Sequence, residues 1–453
     1  SCLVGSEMCI RDSIKGAKVV NQGIISSSDV LIKGEIIHKI SSEIIFRDNF
    51  DLIDGKNKYL IPGCIDDQVH FREPGLTHKG TIESESKACI AGGITSFFEM
   101  PNTVPNTTNE YFLKEKLKIA KNTSWANFGF MLGGTNDNYD DILKTDKRLI
   151  PALKLFLGSS TGNMLVDNKK IIKKIFSNFN LPIAVHCEDE KVIKSNLDKL
   201  KLEFGDKVPM YFHPKIRSEE ACYLSSSNAI NLAKETGARL HVFHLSTLKE
   251  TNLFDNKLSI ENKKITSEVC VHHLLFNDDD YKTKGSLIKW NPAIKSESDR
   301  MGLWKALNDD RIDIIATDHA PHTYEEKKQD YFNSPSGGPM VQHGLQVMLD
   351  FVNKGKISLE KVVEKMCHNP AILFSVERRG FIKEGYYADL VLIDLKKDEK
   401  ILKENLLYKC GWSPLEGKIF KGCITHTIVN GHLQYHNGIF SNKRNAKQIK
   451  YKR

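Results

Sequence analysis

Residues that suit metal chemistry close several apolar runs of this chain. His70 lies at the end of IPGCIDDQVH, His186 at the end of LPIAVH, His244 at the end of RLHVFH and Asp318 at the end of IDIIATD. Histidine and carboxylate groups are zinc ligands, so the four could hold a metal if the fold brings them to one place. Each alone has a plainer reading: a lone histidine at a strand end is commonly structural, and Asp318 could cap the next helix. The conjunction carries the weight. Lys154, in PALKLFLG, sits between two leucines. A buried lysine is costly unless paired or modified. Burial favours its neutral amine, the form that can add carbon dioxide, and the resulting carbamate is a two-oxygen anion able to bridge two metal ions. The alternatives are a carboxylate partner, or a side chain reaching out along its stem to water.

Gln68, His70 and Arg72 alternate ahead of the break at Pro74-Gly75. On an extended strand they point the same way, and the turn pair ends the strand. Such a stretch is either the floor of an active site or an exposed edge with incidental polar residues.

The elements that must position these residues are a series of strands and crossovers. Strands are expected over residues 60–71, 94–100, 125–131, 152–157, 181–186, 239–244, 265–271 and 312–318. Helical patterns lie between them at 110–121, 169–176, 218–236 and 299–308. Eight strands alternating with crossovers fit an α/β fold, a (β/α)8 barrel over residues 60–375, whose strand ends converge on one mouth. A doubly wound open sheet competes, but no GxGxxG opens a helix after the first strand. The flanks, 14–59 and 376–440, have the short alternating runs and Gly/Asn punctuation of strands, and suggest one small β-sandwich built from both ends. Residues 441–453 are polar and basic and read as a loose tail. The first thirteen residues, SCLVGSEMCIRDS, lack the basic, apolar and cleavage regions of a signal peptide. They read as a non-native leader or a disordered natural tail.

Composition excludes more than it assigns. The 453 residues are 40% hydrophobic and 27% charged, ordinary globular values. The formal charge of +8 comes from scattered lysines without interleaved aromatics, so nucleic acid is not an expected partner. No run of 18 apolar residues suggests a membrane span. Ten cysteines stand singly with no CxxC, the usage of reduced thiols in a cytoplasmic protein.

The stretches DDQVHFREPG, MPNT, LKLFL, VHCE, FHLST and TDHAPH, taken together and in this order, resemble the cyclic amidohydrolases and within them the dihydroorotases. HFREPG with ATDHAPH is the specific part, and GYYADLVLIDL and KGCITHTIVNG resemble the closing strands of that family. The resemblance implies a zinc-bearing barrel and reversible cyclisation of N-carbamoyl-L-aspartate to dihydroorotate in pyrimidine synthesis. It implies that a carboxylated Lys154 bridges one site completed by His186 and His244 and another formed by His70 and Asp318. Asp318 would double as general base. Arg72, Asn102, Asn291 and His322 match substrate-binding positions, and Ser160 and Thr161 match a loop over the substrate. A homodimer and an aspartate transcarbamoylase partner are left open. So are an allantoinase or hydantoinase activity, and a non-catalytic scaffold role.

Gln68 departs from the pattern, which has histidine there. An amide oxygen is a weaker zinc ligand than imidazole, so one or two ions of unequal occupancy are expected. The remaining histidines are read as supporting: His272 and His273 at the end of the seventh strand, His319 beside a ligand, His241 packed and His78 solvated.

Overall fold

The computed structural model describes residues 12–45, 51–158 and 164–453. Mostly apolar strands that are buried along their whole length have both faces covered, as parallel strands between helices do. Among the described residues the central region holds eight of them. They are β1 (Cys64–Val69), β2 (Ile94–Glu99), β3 (Asn127–Phe130), β4 (Leu153–Phe156), β5 (Ile183–His186), β6 (Leu240–Val242), β7 (Ile265–Cys270) and β8 (Ile314–Ala316). β1 to β3 pair in parallel in one sheet and β4 to β8 in another. The short strand Leu132–Gly133 follows β3 and pairs with β4. A parallel bridge between Val69 and His319, with the His70 amide donating to the His319 carbonyl at 2.7 Å, returns the last strand to the first. This is the strand order of a (β/α)8 barrel.

The four anticipated helices are present as Glu110–Thr123, Lys169–Asn178, Glu219–Thr236 and Glu297–Asn308. Each opens on an Asn or Ser whose side chain accepts a first-turn amide, namely Asn109, Asn168, Ser218 and Ser296.

The expected strand 60–71 is two strands in two sheets. Tyr59–Pro62 belongs to the flanking sheet, and the chain crosses at Gly63 before β1 begins. A Cβ at Gly63 would stand 2.0 Å from Thr95 Oγ1, so only glycine allows this crossing. β1 then stops at Val69, and Arg72 has a φ of 70°. The alternation therefore does not reach Arg72: Gln68 and His70 line one pocket and Arg72 another.

The flanks form one hydrogen-bonded sheet of nine strands, built from both ends of the chain. Its seam pairs Tyr59–Pro62 with Leu390–Lys400, antiparallel, Leu390 opposite Pro62. Its first strand, Asp12–Asn21, starts inside the stretch read as a leader, and Ser13 is buried; residues 1–11 lie outside the described residues. The last residues are not loose. Ile449 donates its amide to Phe128, the Phe128 amide donates to Lys447, and Lys452 donates to Ser375. Ile449 and Tyr451 are buried in the same apolar cluster as Ile65, Phe98, Phe243 and Phe374. The apolar residues hidden among the lysines of 441–453 are what dock it. No helix among the described residues is long and apolar enough to cross a membrane. The eight described cysteines are all free thiols, seven of them buried.

Candidate active site

Strands that end together bring their last side chains together. One cavity is lined by Gln68, His70, Lys154, His186, His244, Asn291 and Asp318, with Phe156 and Trp290 as walls. On one side the two histidines that close β5 and follow β6 face each other: His186 Nδ1 and His244 Nε2 are 3.0 Å apart. Burial holds both imidazoles below their ordinary pKa, so both are neutral at pH 7 and keep lone pairs for a ligand role. On the other side His70 Nε2 lies 3.3 Å from Asp318 Oδ1. The His70 Nδ1–H donates to Asn102 Oδ1 at 2.8 Å, which fixes the tautomer and leaves Nε2 to the cavity. His244 and Asp318 sit just past their strands, at φ of 40° and 44°. Such backbone is sparsely populated for residues other than glycine and is characteristic of functional turns.

Lys154 Nζ is buried without a hydrogen-bond partner and lies 4.1 Å above the Phe243 ring. Desolvation by burial draws its pKa down to about 7, against the opposing pull of Asp318 and Glu268. The carboxylate-paired and solvent-reaching alternatives both fail on this geometry. An orphaned amine, two neutral imidazoles aimed at one point and a His–carboxylate pair opposite form a donor set that fits a metal centre bridged by a carbamate. Gln68 lines the same cavity, its Oε1 3.7 Å from Cys270 Sγ.

Arg72, Asn102 and His322 line a second pocket of about 480 Å³, joined to the first through the His70–Asn102 bond. Arg72 is buried, its Nε donating to the Pro321 carbonyl at 2.9 Å. Desolvation lowers its pKa to about 10, so it remains a cation at pH 7. Lys79 donates to His322 Nδ1 at 3.0 Å and pairs with Glu326. His322 is kept neutral first by burial and then by the Arg72 and Lys79 charges. The pocket thus offers cations and donors to an anion. Ser160 and Thr161 lie outside the described residues.

Two supports escaped the sequence reading. Glu99 ends β2 and accepts the Phe71 amide through Oε1, fixing the backbone between His70 and Arg72, while its other oxygen pairs with Lys116. The signal was available: a carboxylate inside SFFEM is as anomalous as a lysine inside LKLFL. Glu188 pairs with Arg217 and lies 3.1 Å from His186 Nε2, which turns the opposite nitrogen toward His244. Among the other histidines, His319 bonds Glu85 at 2.8 Å and accepts the Met340 amide, so it braces the turn that carries Asp318. His78 is largely exposed, 3.8 Å from Glu326. His272 and His273 fall in a short helix, Val271–Leu275, just beyond β7.

The amidohydrolase family matches residues 59–433. A dihydroorotase of Methanosphaera stadtmanae is 31% identical over 423 residues, covering 93% of this chain and 95% of the relative. A dihydroorotase of Carboxydothermus hydrogenoformans is 35% identical over 424 residues, covering 92% and 96% respectively. Among solved structures, the L-hydantoinase (dihydropyrimidinase) of Arthrobacter aurescens superposes with a TM-score of 0.92 at 27% identity, covering 98% of this chain and all of that one. Motif, barrel and relatives agree, and the chain belongs to the amidohydrolase family, in the group of the dihydroorotases.

Proposed function

We propose that the chain interconverts N-carbamoyl-L-aspartate and dihydroorotate, with zinc held by His70, His186, His244, Asp318 and a carboxylated Lys154. The observation that carries the reading is the pairing of the histidine–lysine–aspartate cavity with a pocket whose buried Arg72 is still charged. Zinc bound there would polarise the carbonyl under attack and acidify the attacking water, worth several kcal/mol of transition-state stabilisation. Asp318 takes the proton from water and delivers it to the departing ring nitrogen as the ring opens, and in closure it takes that proton from the attacking nitrogen and returns it to the departing hydroxide. Arg72 presents a fork to the substrate carboxylate, with the Asn102 amide and neutral His322 beside it. Asn291, whose Oδ1 has no hydrogen-bond partner, supplies an acceptor to the ring.

Hydantoin and dihydrouracil rings lack the carboxylate, and would leave Arg72 and its neighbours without an ionic partner. A scaffold role rests on Gln68 alone, and the cavity otherwise keeps a full donor set. The test is zinc analysis of the purified chain together with assays on carbamoyl-aspartate, dihydroorotate, dihydrouracil and allantoin. Turnover of the first two well above the others supports the proposal. Preference for an uncharged ring, or metal-loaded protein without turnover, refutes it.

A further inference from the structure

A second group of metal-type side chains lies inside the barrel and belongs to neither pocket. Asp67 of β1, His241 of β6 and Glu268 of β7 meet there, all fully buried. His241 Nε2 stands 3.4 Å from Asp67 Oδ2 and 3.8 Å from Glu268 Oε2. None of these atoms, nor Asp67 Oδ1, has a hydrogen-bond partner. Asp66 is not part of the group, since its carboxylate is engaged by Thr317.

Four buried polar atoms without a hydrogen bond in one spot are expensive, and three of them are carboxylate oxygens. Their arrangement is ordered. The His241 Nδ1–H donates to Thr266 Oγ1 at 2.8 Å, and the Thr266 hydroxyl is turned to the Leu240 carbonyl. Nε2 is thereby aimed at the carboxylates, as the hydrogen bond on the far nitrogen of a metal-bound histidine aims the ligating one. Glu268 Oε1 accepts the His244 amide at 3.2 Å and a weak bond from Cys270, so only Oε2 is left over. Ligand atoms about 2.1 Å from a tetrahedral ion are separated by roughly 3.4 Å, the scale of the gaps seen here. The His241 ring meets Phe243 and Phe374 edge-on, which closes the spot on its apolar side.

We propose that Asp67, His241 and Glu268 form a separate structural site for a divalent transition-metal ion, zinc foremost. Asp67 Oδ2, His241 Nε2 and Glu268 Oε2 supply one atom each, which leaves a fourth position for a water. Two carboxylates and one neutral imidazole leave a zinc complex with no net charge. The ion ties β1, β6 and β7 across the barrel interior. It steadies the segment carrying Gln68 and His70, and, through the Glu268–His244 amide bond, the turn carrying His244.

The site is separate from the proposed reaction, and its test reads metal rather than turnover. Crystals of the full chain soaked in zinc chloride should give an anomalous peak at the zinc edge between these three side chains. Absence of that peak while the cavity between His186 and His244 gives one would overturn the proposal, leaving a network that shares protons instead. Zinc content by mass spectrometry should fall by one equivalent per chain in Asp67→Asn. The Lys154→Ala protein should keep that equivalent. An unchanged zinc content in folded Asp67→Asn would also overturn the proposal. Thr266→Val removes the acceptor that orients His241 without touching a ligand, and should weaken this site about ten- to a hundredfold. Equal zinc affinity in Thr266→Val and the parent would count against the assigned nitrogen.

Discussion

Arg72→Met is the substitution that most directly tests substrate choice. Methionine keeps much of the volume of the stem and removes the cation. Arg72 is 2% exposed, so its charge is little screened by solvent and would meet a bound carboxylate in a desolvated pocket. Losing a buried charge-assisted pair should cost about 2–5 kcal/mol in kcat/KM. At about 1.4 kcal/mol per decade that is roughly a thirtyfold to several-thousandfold fall for dihydroorotate. Dihydrouracil carries no carboxylate, and its turnover should fall by only the part that belongs to local packing. That part is real, because Arg72 Nε also holds the Pro321 carbonyl, in the same turn that carries Asp318. The assay is initial rate against concentration for both rings, with a thermal melt to confirm that the variant is folded. Arg72→Lys, which keeps the charge and loses the fork, should fall between the two. Equal losses on both substrates would mean that Arg72 acts as a brace and that the specificity argument is wrong.

Lys154→Ala should abolish turnover and lower zinc content, with part of the activity restored by small carboxylic acids that fill the carbamate's place; retention of most zinc and activity would remove the bridging role. The folded-state pKa of Lys154 is depressed to about 7, so its amine is charged below that pH and neutral above it. Reactivation of metal-free enzyme, measured at a fixed concentration of dissolved carbon dioxide, should then run about tenfold faster at pH 8 than at pH 6, and a flat profile would contradict the buried-amine account. Gln68 weakens the position shared by His70 and Asp318, so chelator titration should strip one zinc before the other while activity persists, and Gln68→His should tighten the weaker ion. Loss of both ions at one chelator strength would refute unequal sites. Lys116→Met leaves Glu99 buried without its cation and should destabilise the fold by about 3–5 kcal/mol, read from urea unfolding.

Much of this was legible because barrels turn sequence signals into geometry. A polar residue at the end of an apolar run is conspicuous in the chain, and parallel strands collect such ends at one mouth. His70, His186, His244 and Asp318 were visible for that reason and Lys154 because a lysine between leucines is anomalous, and all five line one cavity. What failed depended on contacts the pattern does not encode. The strand at 60–71 read as continuous because nothing local reveals that Gly63 passes against Thr95. Alternation suggested a shared face for Arg72, but the strand had already ended three residues earlier, at Val69. The tail read as loose because its lysines hide Ile449 and Tyr451, whose burial depends on partners as far apart in the chain as Ile65, Phe98 and Phe374. His241 is packed, as its place in an apolar run suggests, but its meeting with Asp67 was not legible, since that residue lies far away in sequence and reaches it across the barrel.

The seam of the flanking sheet has a consequence for how the chain is made. Tyr59–Pro62 leaves the ribosome well before its neighbour Leu390–Lys400, which is translated more than 300 residues later. At about 5–20 residues per second the early strands wait on the order of tens of seconds with an edge unpaired. The apolar cluster around Phe98 and Phe374 waits longer still, because Ile449 and Tyr451 follow later in the chain. A nascent chain of this protein is therefore exposed to edge-to-edge association until Leu390–Lys400 arrives, and fragments that stop short of Tyr451 should depend on chaperones more than chains that include it.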